Sequence, residues 1–276
     1  MDEMQELNTG NYFGSEVKNR NIGGIWTSVA CYDRMLYLKP TPLNDWHFHQ
    51  NAHFSFILKG GNLERRKTVS AESCPGQVRF YHAGEPHQNV NVLYPSKNFN
   101  VEIDARFLSK YDLGESAIEA AAAAADFTNL KFTMLRIYRE AVDQPEASEL
   151  AVHALILGAV SKKEDVAKKT LQIPLWADKV IQILRDRWDE NLSLRELSEA
   201  SGVHAITISK HFPKYFSCTL GEYVRRVRVE KSLALIKQSD CSLTEIAHSC
   251  GFADQSHFTR VFKELTGLKP GAFKKI

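Results

Sequence analysis

Residues 193–203 are Ser-Leu-Arg-Glu-Leu-Ser-Glu-Ala-Ser-Gly-Val, and residues 242–252 are Ser-Leu-Thr-Glu-Ile-Ala-His-Ser-Cys-Gly-Phe. The second stretch repeats the pattern of the first 49 positions later. Each begins with Ser-x-x-Glu, in which the hydroxyl and the carboxylate satisfy exposed backbone amides at a helix start. Each carries Gly near its end, the residue that most readily takes the left-handed conformation after a helix. The repeat therefore predicts two short helices with the same beginning and the same end.

A second amphipathic segment follows each glycine. Ile208 and Phe212 lie four residues apart in the first copy, and so do Phe258 and Phe262 in the second, which places each pair on one helix face. Helix, turn with glycine, and helix together form the helix-turn-helix motif, whose second helix enters the major groove of DNA. Two helical hairpins that only form a bundle core are the alternative. The duplication, with polar outer faces in both copies, favours DNA binding.

A further helix is predicted between the two copies. Thr219-Leu-Gly-Glu222 repeats the capping pattern, and apolar residues continue at helical spacing, so we expect this helix to end near Gln238. Such a helix can hold two DNA-contacting helices about 34 Å apart, one helical turn of DNA. Its predicted apolar stripe consists of Leu220, Tyr223, Val224, Val227, Leu233 and Ile236.

Positive charge is concentrated in the same part of the chain. From Val203 to the end there are twelve Lys or Arg against six Asp or Glu, a balance of +6, although the whole chain carries +2. A basic segment is typical of proteins that bind nucleic acid. We expect part of this set to contact phosphate and the rest to form a solvated surface. The residues concerned are Arg225, Arg226, Arg228, Lys231, Lys269, Lys274 and Lys275.

The second copy continues into a long, specific motif. It comprises Ile246-Ala247, Gly251-Phe252, the run Asp254-Gln-Ser-His-Phe-Thr-Arg-Val-Phe-Lys263, Thr266-Gly267 and Pro270-Gly-Ala-Phe273. This motif closely resembles that of AraC-type transcription regulators. The resemblance implies a seven-helix DNA-binding domain over residues 174–276, with two helix-turn-helix units and double-stranded DNA as the partner.

The resemblance also implies which side chains contact bases. They lie near the start of the second helix of each unit, where an apolar side chain such as Ile206 can press on a thymine methyl. Lys210 and Arg260 suit guanine, and Gln255 suits adenine. The full predicted set is Ile206, Ser209 and Lys210 in the first unit, and Gln255, Ser256, Thr259 and Arg260 in the second.

Two residues of the first unit depart from the family pattern. Pro213 stands where a basic residue is usual, and it removes one backbone hydrogen bond, so we expect the helix to kink or end near Phe212. Ser217 replaces the usual Gly in the following turn. These departures put the docking of the first unit on DNA in doubt, while no departure was found in the second.

The amino-terminal half predicts short β-strands. β-branched and aromatic residues alternate with polar ones, and Gly, Pro and Asn separate the segments, which is typical of a β-barrel or sandwich. The predicted strands are residues 25–32, 35–38, 53–58, 77–81 and 98–103.

Histidines cluster between these strands. His47 and His49 lie two apart and share a face of a strand, as does His53 if no bulge intervenes, and His87 follows later. The pattern resembles the small cupin barrel that AraC-type regulators commonly carry as a sensing domain. His53 stands where metal-binding cupins have Glu, and His82 where Pro is usual. The four imidazoles would suit Zn, Ni, Cu or Fe, but regulatory barrels often retain His-x-His without metal. We expect His47, His49, His53 and His87 to bind an effector, with metal and small molecule both left open and no other cofactor.

Residues 115–162 are predicted to be helical. Ala120–Ala125 is an alanine run, and apolar stripes follow over 130–142 and 149–160. In AraC-type proteins the helices after the barrel often pair two subunits, which implies a homodimer; simple cover of the barrel is the alternative. We assign residues 1–160 to a cupin-like effector-binding and dimerisation domain and the charged stretch 161–173 to a linker.

Other classes of protein are less well supported. The chain contains no run of 18 apolar residues, its start is acidic and polar, and its five cysteines include no CxxC pair, so we expect a cytoplasmic protein without membrane partners. No Ser-His-Asp, Walker or dinucleotide pattern is present, so no enzymatic activity is expected. We predict an effector-responsive transcription regulator, with RNA polymerase as a candidate partner. The alternatives are a cupin-type metalloenzyme with a helical appendage and a ligand-independent regulator.

Overall fold

The computed structural model describes residues 4–33, 45–114, 116–118, 127–143, 149–161 and 173–276. The chain divides into two compact units, which meet in sequence between Lys163 and Glu164. The predicted strand 35–38, the alanine run 120–125 and nearly all of the predicted linker lie outside the described residues. Among the helices described, none is long and apolar enough to cross a membrane.

The first unit is built on a curled sheet with eight strands among the described residues. The strand order is β1-β4-β8-β3-β2, and β5 pairs with β6, β7 and β8. Only β1 and β4 run parallel; the other described pairs are antiparallel. The strands are β1 (Gln5–Leu7), β2 (Glu16–Ile22), β3 (Ile25–Tyr32), β4 (His47–His49), β5 (His53–Arg66), β6 (Ser70–Ser73), β7 (Val78–Tyr81) and β8 (His87–Ile103).

Strands β5 and β8 are longer than the sequence predicts. The predicted strand 53–58 continues through Gly60 and Gly61 to Arg66, and its register with β8 shifts repeatedly between Ile57 and Leu63. Gly61 has φ +142°, and a Cβ atom there would lie 2.1 Å from the carbonyl oxygen of Ser73. The glycines therefore mark an irregularity within a continuous strand and not its end.

Helices cover the sheet in the first unit. The ring of Tyr138 packs edge-on against Phe99 at 5.2 Å, and the imidazole of His153 lies 3.1 Å from the carbonyl oxygen of Ile22. Phe99 is fully buried, and so is Val152, which belongs to the predicted apolar stripe 149–160. The helices are α1 (Ala105–Lys110), α2 (Phe127–Tyr138), a π-helical turn (Arg139–Asp143) and α3 (Glu149–Ser161).

The second unit is all-helical over residues 173–276. It contains seven helices in this described stretch, as the family resemblance implies. Their bounds are α4 (Leu175–Asp186), α5 (Leu194–Ser201), α6 (Ala205–Phe216), α7 (Leu220–Gln238), α8 (Leu243–Ser249), α9 (Gln255–Thr266) and α10 (Pro270–Lys275).

The repeated sequence gives two helical pairs, α5 with α6 and α8 with α9. Capping boxes form at Ser193–Glu196, Thr219–Glu222 and Ser242–Glu245, with side chain and backbone bonded reciprocally in each. The glycines take the left-handed conformation, with φ +73° at Gly202 and +72° at Gly251. The predicted starts and turns of both copies are therefore confirmed.

Each pair buries the apolar residues that the spacing predicts. Ile208, Phe212, Phe258 and Phe262 are all fully buried. In the first pair they join a core that includes Val180, Leu197, Tyr223 and Val227, so α4 and α7 complete its packing.

Of the two expected effects of Pro213, a kink or an end of the helix near Phe212, the end is wrong. The helix continues through Pro213 to Phe216 and ends at Ser217, whose N–H donates to the carbonyl oxygen of Pro213 over 2.9 Å. Because Pro213 has no N–H, the carbonyl oxygen of Ser209 lacks its usual helical donor. Both residues lie on the exposed side of the helix, so water can donate to this carbonyl oxygen instead. Phe212 and Phe216 pack ring against ring at 4.5 Å, and this contact holds the last turn.

Candidate functional site

The first candidate surface is the outer face of α6. Ile206 is 65% exposed there, although it is apolar, and Ser209 and Lys210 are also exposed. His204 caps the helix start, its Nδ1 accepting a hydrogen bond from the backbone N–H of Ile206 over 3.3 Å. The three predicted base-contacting residues therefore lie together on solvent-facing turns at the start of a helix.

The corresponding face of α9 is more polar. Asp254 caps the helix by accepting from the N–H of His257 over 2.7 Å. Gln255, Ser256 and Arg260 are exposed, and Thr259 is half-buried. The amide oxygen of Gln255 accepts a hydrogen bond from the hydroxyl of Thr244 over 2.6 Å, which ties the first turn of α9 to α8. The four predicted residues share one surface.

Arg228, one of the basic residues expected to contact phosphate or to lie on a solvated surface, does neither. Arg228 on α7 is only 8% exposed, and its guanidinium donates to the carbonyl oxygens of Trp188 and Glu190 and to the side chain of Asn191. A fourth hydrogen bond goes to the carbonyl oxygen of Gly251. Arg228 therefore has a structural role, and its charge is not presented to a ligand.

The second candidate site is a group of three buried histidines in the first unit. His47 and His49 lie on β4, and His47 is paired in register with His87 at the start of β8. One ring nitrogen from each of the three residues lies within 4.8 Å of the other two. Sheet pairing thus brings together side chains from distant parts of the sequence.

His53 does not belong to this group of three. β4 ends at His49, and residues 50–52 turn the chain before His53 begins β5. Its ring lies 4.2 Å from that of His49 but stacks on Tyr81, with centroids 4.5 Å apart and an angle of 7° between the planes. His53 therefore forms part of the wall beside the group.

All four histidines are neutral at pH 7. Burial lowers the pKa of both His47 and His87 to about 4, and the neighbouring imidazole of His87 lowers that of His47 further. Burial also holds the pKa values of His49 and His53 well below the usual 6.5. Each ring therefore keeps a lone pair that can accept a hydrogen bond or bind a metal.

Two tyrosine–glutamate pairs flank the histidines, and sequence analysis missed both. The hydroxyl of Tyr81 donates to buried Glu64 over 2.6 Å, and that of Tyr12 lies 3.4 Å from Glu102. Tyr12 also lies against His49, with ring centroids 4.8 Å apart. Nothing in the sequence marks these pairs, because their members lie 17 and 90 residues apart.

Comparison with known proteins finds sequence similarity to transcription regulators. A family model described as a helix-turn-helix domain matches residues 197–276. The probable transcription factor PqrA of Proteus vulgaris is 31% identical over 87 residues, which are 32% of this chain and 71% of that protein. The HTH-type transcriptional activator RhaS of Pectobacterium carotovorum is 26% identical over 243 residues, covering 83% of this chain and 86% of that protein.

Similarity to solved structures is weaker. The crystal structure of a probable AraC family transcriptional regulator from Rhodopseudomonas palustris is 22% identical, with a TM-score of 0.35 over 36% of this chain and 94% of that chain.

The sequence similarity to other relatives covers only part of their length. The chain spans 51% of the regulator YijO of Escherichia coli and 33% of RhaS of Escherichia fergusonii.

The sequence matches place this chain among proteins with a helix-turn-helix domain. More specifically, it belongs to the family of AraC-type transcription regulators.

Proposed function

We propose that this protein regulates transcription by binding a specific DNA sequence through two helix-turn-helix units, and that an effector bound beside the histidines modulates this binding. The observation that carries the proposal is the pair of equivalent surfaces on α6 and α9, each following an identically capped helix and a left-handed glycine. Residues 174–276 form the DNA-binding domain, 161–173 the linker and 1–160 the effector domain.

Base recognition is assigned to the two exposed helix faces. Ile206 offers an apolar surface to a thymine methyl group, and Lys210 offers a donor to guanine. On α9, Gln255 can pair with adenine and Arg260 with guanine. Ser209, Ser256 and Thr259 complete the two surfaces with hydroxyl groups that serve as donors or acceptors.

Phosphate contact is assigned to the remaining cations of the second unit. Lys231, Lys269 and Lys274 are exposed, while Arg225 and Arg226 are half-buried on α7. Each neutralised phosphate releases counterions, so affinity should fall steeply as salt rises. Since several such contacts are proposed, a loss of about 10³-fold is expected between 50 and 200 mM salt.

Unsatisfied polar atoms support an effector site in the first unit. The Nδ1 atoms of His49 and His53 are buried without a hydrogen-bond partner among the described residues, and so are the side-chain oxygens of Asn62 and Asn98. All four residues line one cavity with His47 and His87. Buried polar groups without partners are costly, so a bound ligand or water is expected there. An effector at this place would be coupled to DNA binding as a two-site linkage.

A homodimer is part of the proposal. The outward face of α3 carries Leu150, Ala154 and Gly158, all exposed and spaced four apart, and Leu150 is 77% exposed. An apolar ridge of one large and two small residues suits packing against a second helix. A second copy of the chain is therefore the proposed partner, and RNA polymerase is a further one. The matched relatives are named as transcription regulators, so no catalytic activity is proposed.

Selection from random DNA with the full-length protein tests the proposal. An enriched motif with two segments about 10 base pairs apart is expected, because two helices on one face of DNA contact successive major-groove segments. Lys18→Ala changes an exposed cation of the first unit and should leave the motif and the affinity unchanged. Enrichment of no motif would refute sequence-specific binding.

A further inference from the structure

The histidine cavity is narrow. Its free volume is about 30 Å³, and one water molecule needs about 10–15 Å³ of such volume. Pockets that hold drug-sized ligands usually have about 300–1,000 Å³. The space between these walls therefore suits an ion with one or two bound waters.

Hydrogen bonds fix the tautomers of two of the three histidines. The Nδ1–H of His47 donates to the carbonyl oxygen of Asp45 over 3.0 Å, and the Nδ1–H of His87 donates to that of Glu85 over 3.1 Å. Each bond leaves Nε2 with the lone pair. A backbone carbonyl on one ring nitrogen is the usual arrangement behind a histidine that binds metal through the other.

The third histidine, His49, does not have the Nδ1 hydrogen bond that orients His47 and His87. Nδ1 of His49 is buried and has no hydrogen-bond partner among the described residues. The ring of His49 lies parallel to that of His87, with the centroids 5.5 Å apart. A buried nitrogen atom without a hydrogen-bond partner is usually satisfied by a bound ligand or by water.

We infer that His47, His49 and His87 bind one divalent transition-metal ion, which is the effector in the function proposed above. The inference rests on that function only for the regulatory role of the ion. Nitrogen atoms in a tetrahedral site with bonds of about 2.1 Å lie about 3.4 Å apart. The three nitrogen atoms now lie within 4.8 Å of one another, so binding needs them to approach by up to about 1.4 Å.

The donor set defines the class of metal. Three imidazoles suit Zn²⁺, Ni²⁺, Cu²⁺ or Fe²⁺, whereas Mg²⁺ and Ca²⁺ prefer oxygen ligands. Three protein ligands also leave one position open for the water that the cavity can hold. The group contains no thiolate or carboxylate.

Two hydrogen-bonded tyrosine–glutamate pairs adjoin the ligand rings, and Glu64 of one pair is also ion-paired with Arg66. Tyr81 lies 4.4 Å from the ring of His87, and its hydroxyl is bonded to buried Glu64. Tyr12 holds the equivalent position beside His49 and Glu102. The two tyrosine rings limit the movement of the imidazole rings of His87 and His49. The carboxyl groups of Glu64 and Glu102 lie behind the tyrosines, and groups in this outer shell adjust the affinity of a metal site.

Zn²⁺ titration of the full-length protein, purified without an affinity tag and stripped with chelator, tests the site. One equivalent should bind, and His47→Ala, His49→Ala and His87→Ala should each weaken binding at least 100-fold. His82→Ala, which changes an exposed histidine of the same unit, should bind as the unaltered protein does. Circular dichroism identifies variants that fail to fold, and for such a position the Gln variant replaces Ala.

A spectroscopic measurement keeps the inference independent of stability. Cu²⁺ bound to the unaltered protein should show nitrogen hyperfine structure from imidazoles in electron paramagnetic resonance, and His87→Gln should remove part of it. Absence of Zn²⁺ and Cu²⁺ binding at micromolar protein would overturn the inference, even if DNA binding proved sequence-specific. Stoichiometric metal binding that depends on the three histidines but leaves DNA affinity unchanged would establish the site and refute its regulatory role.

Discussion

Arg228 donates a hydrogen bond to the carbonyl oxygen of Gly251, the left-handed residue at the turn of the second helical pair. The same guanidinium bonds to the carbonyl oxygens of Trp188 and Glu190, which precede the first pair. One side chain on the connecting helix therefore joins the turn of one pair to the segment that leads into the other. Arg228 therefore links the two helical pairs, α5 with α6 and α8 with α9, through the connecting helix α7.

Replacing Arg228 by Met should destabilise the second unit. The change leaves buried carbonyl oxygens without donors, and we expect a loss of about 2–4 kcal/mol in the free energy of unfolding. Urea denaturation followed by circular dichroism measures it. Arg226→Met, at a half-buried position on the same helix, is the control and should cost less than about 1 kcal/mol. Equal losses in the two variants would remove the structural role of Arg228.

The two turn glycines should respond differently to alanine. A Cβ atom at Gly202 meets nothing within 4 Å, so Gly202→Ala should cost only the left-handed conformation, about 1 kcal/mol. A Cβ atom at Gly251 would lie 2.6 Å from the carbonyl oxygen of Asp189 and 2.8 Å from the guanidinium of Arg228. We expect Gly251→Ala to cost at least twice as much in thermal or urea unfolding. The opposite order would contradict the packing around Gly251.

Ser217→Gly should stabilise the protein. Ser217 ends α6 with φ +52°, a conformation that glycine adopts without steric cost, and a gain of about 0.5–1 kcal/mol is expected. Ser239 ends α7 with φ −117°, so Ser239→Gly is the matched control and should destabilise. Calorimetric unfolding of both variants measures the sign, and destabilisation by Ser217→Gly would contradict the described turn.

Arg260→Ala should weaken binding to the selected DNA motif by about 1–3 kcal/mol and relax the preference at one base pair. Fluorescence anisotropy against a panel of single-base variants measures both effects. Lys263→Ala, at an exposed position one turn further along α9, should not change the base preference. A uniform loss with Arg260→Ala across unrelated sequences would make Arg260 a phosphate contact.

The cysteines should differ widely in reactivity. Burial raises the pKa of the Cys250 thiol to about 12, so almost no thiolate is present at pH 8. Cys241 is exposed. We expect iodoacetamide to label Cys241 within minutes and Cys250 only in denaturant, as measured by mass spectrometry of the peptides. Rapid labelling of Cys250 in the native protein would show that the core around α8 opens readily.

Local patterns predicted the second unit well. Capping boxes at Ser193 and Ser242, and left-handed glycines after the helices, depend on neighbours within four residues, so the sequence carries the full signal. Arg228 was misjudged because nothing nearby distinguishes it from Arg225 and Arg226. Its burial depends on segments 23 and 40 residues away, which only the fold brings together.

The histidine site could be predicted only in part. Strand alternation correctly placed His47 and His49 on one face, because that relation is local. The pairing of His47 with His87 depends on sheet register, and the turn at 50–52 that separates His53 from β4 has no clear mark in the sequence. The partners of Glu64 and Glu102 could not be predicted for the same reason.

Strand β4 has only three residues, and it pairs in register with β8 at a single position, His47 with His87. So short an element contributes few backbone hydrogen bonds, so β4 should open locally at much lower cost than the long pairing of β5 with β8. Any ion that joined His47 and His49 to His87 would fasten this segment to its neighbour and raise the cost of opening by its binding free energy. Amide exchange at residues 47–49 would then measure effector occupancy without any DNA present.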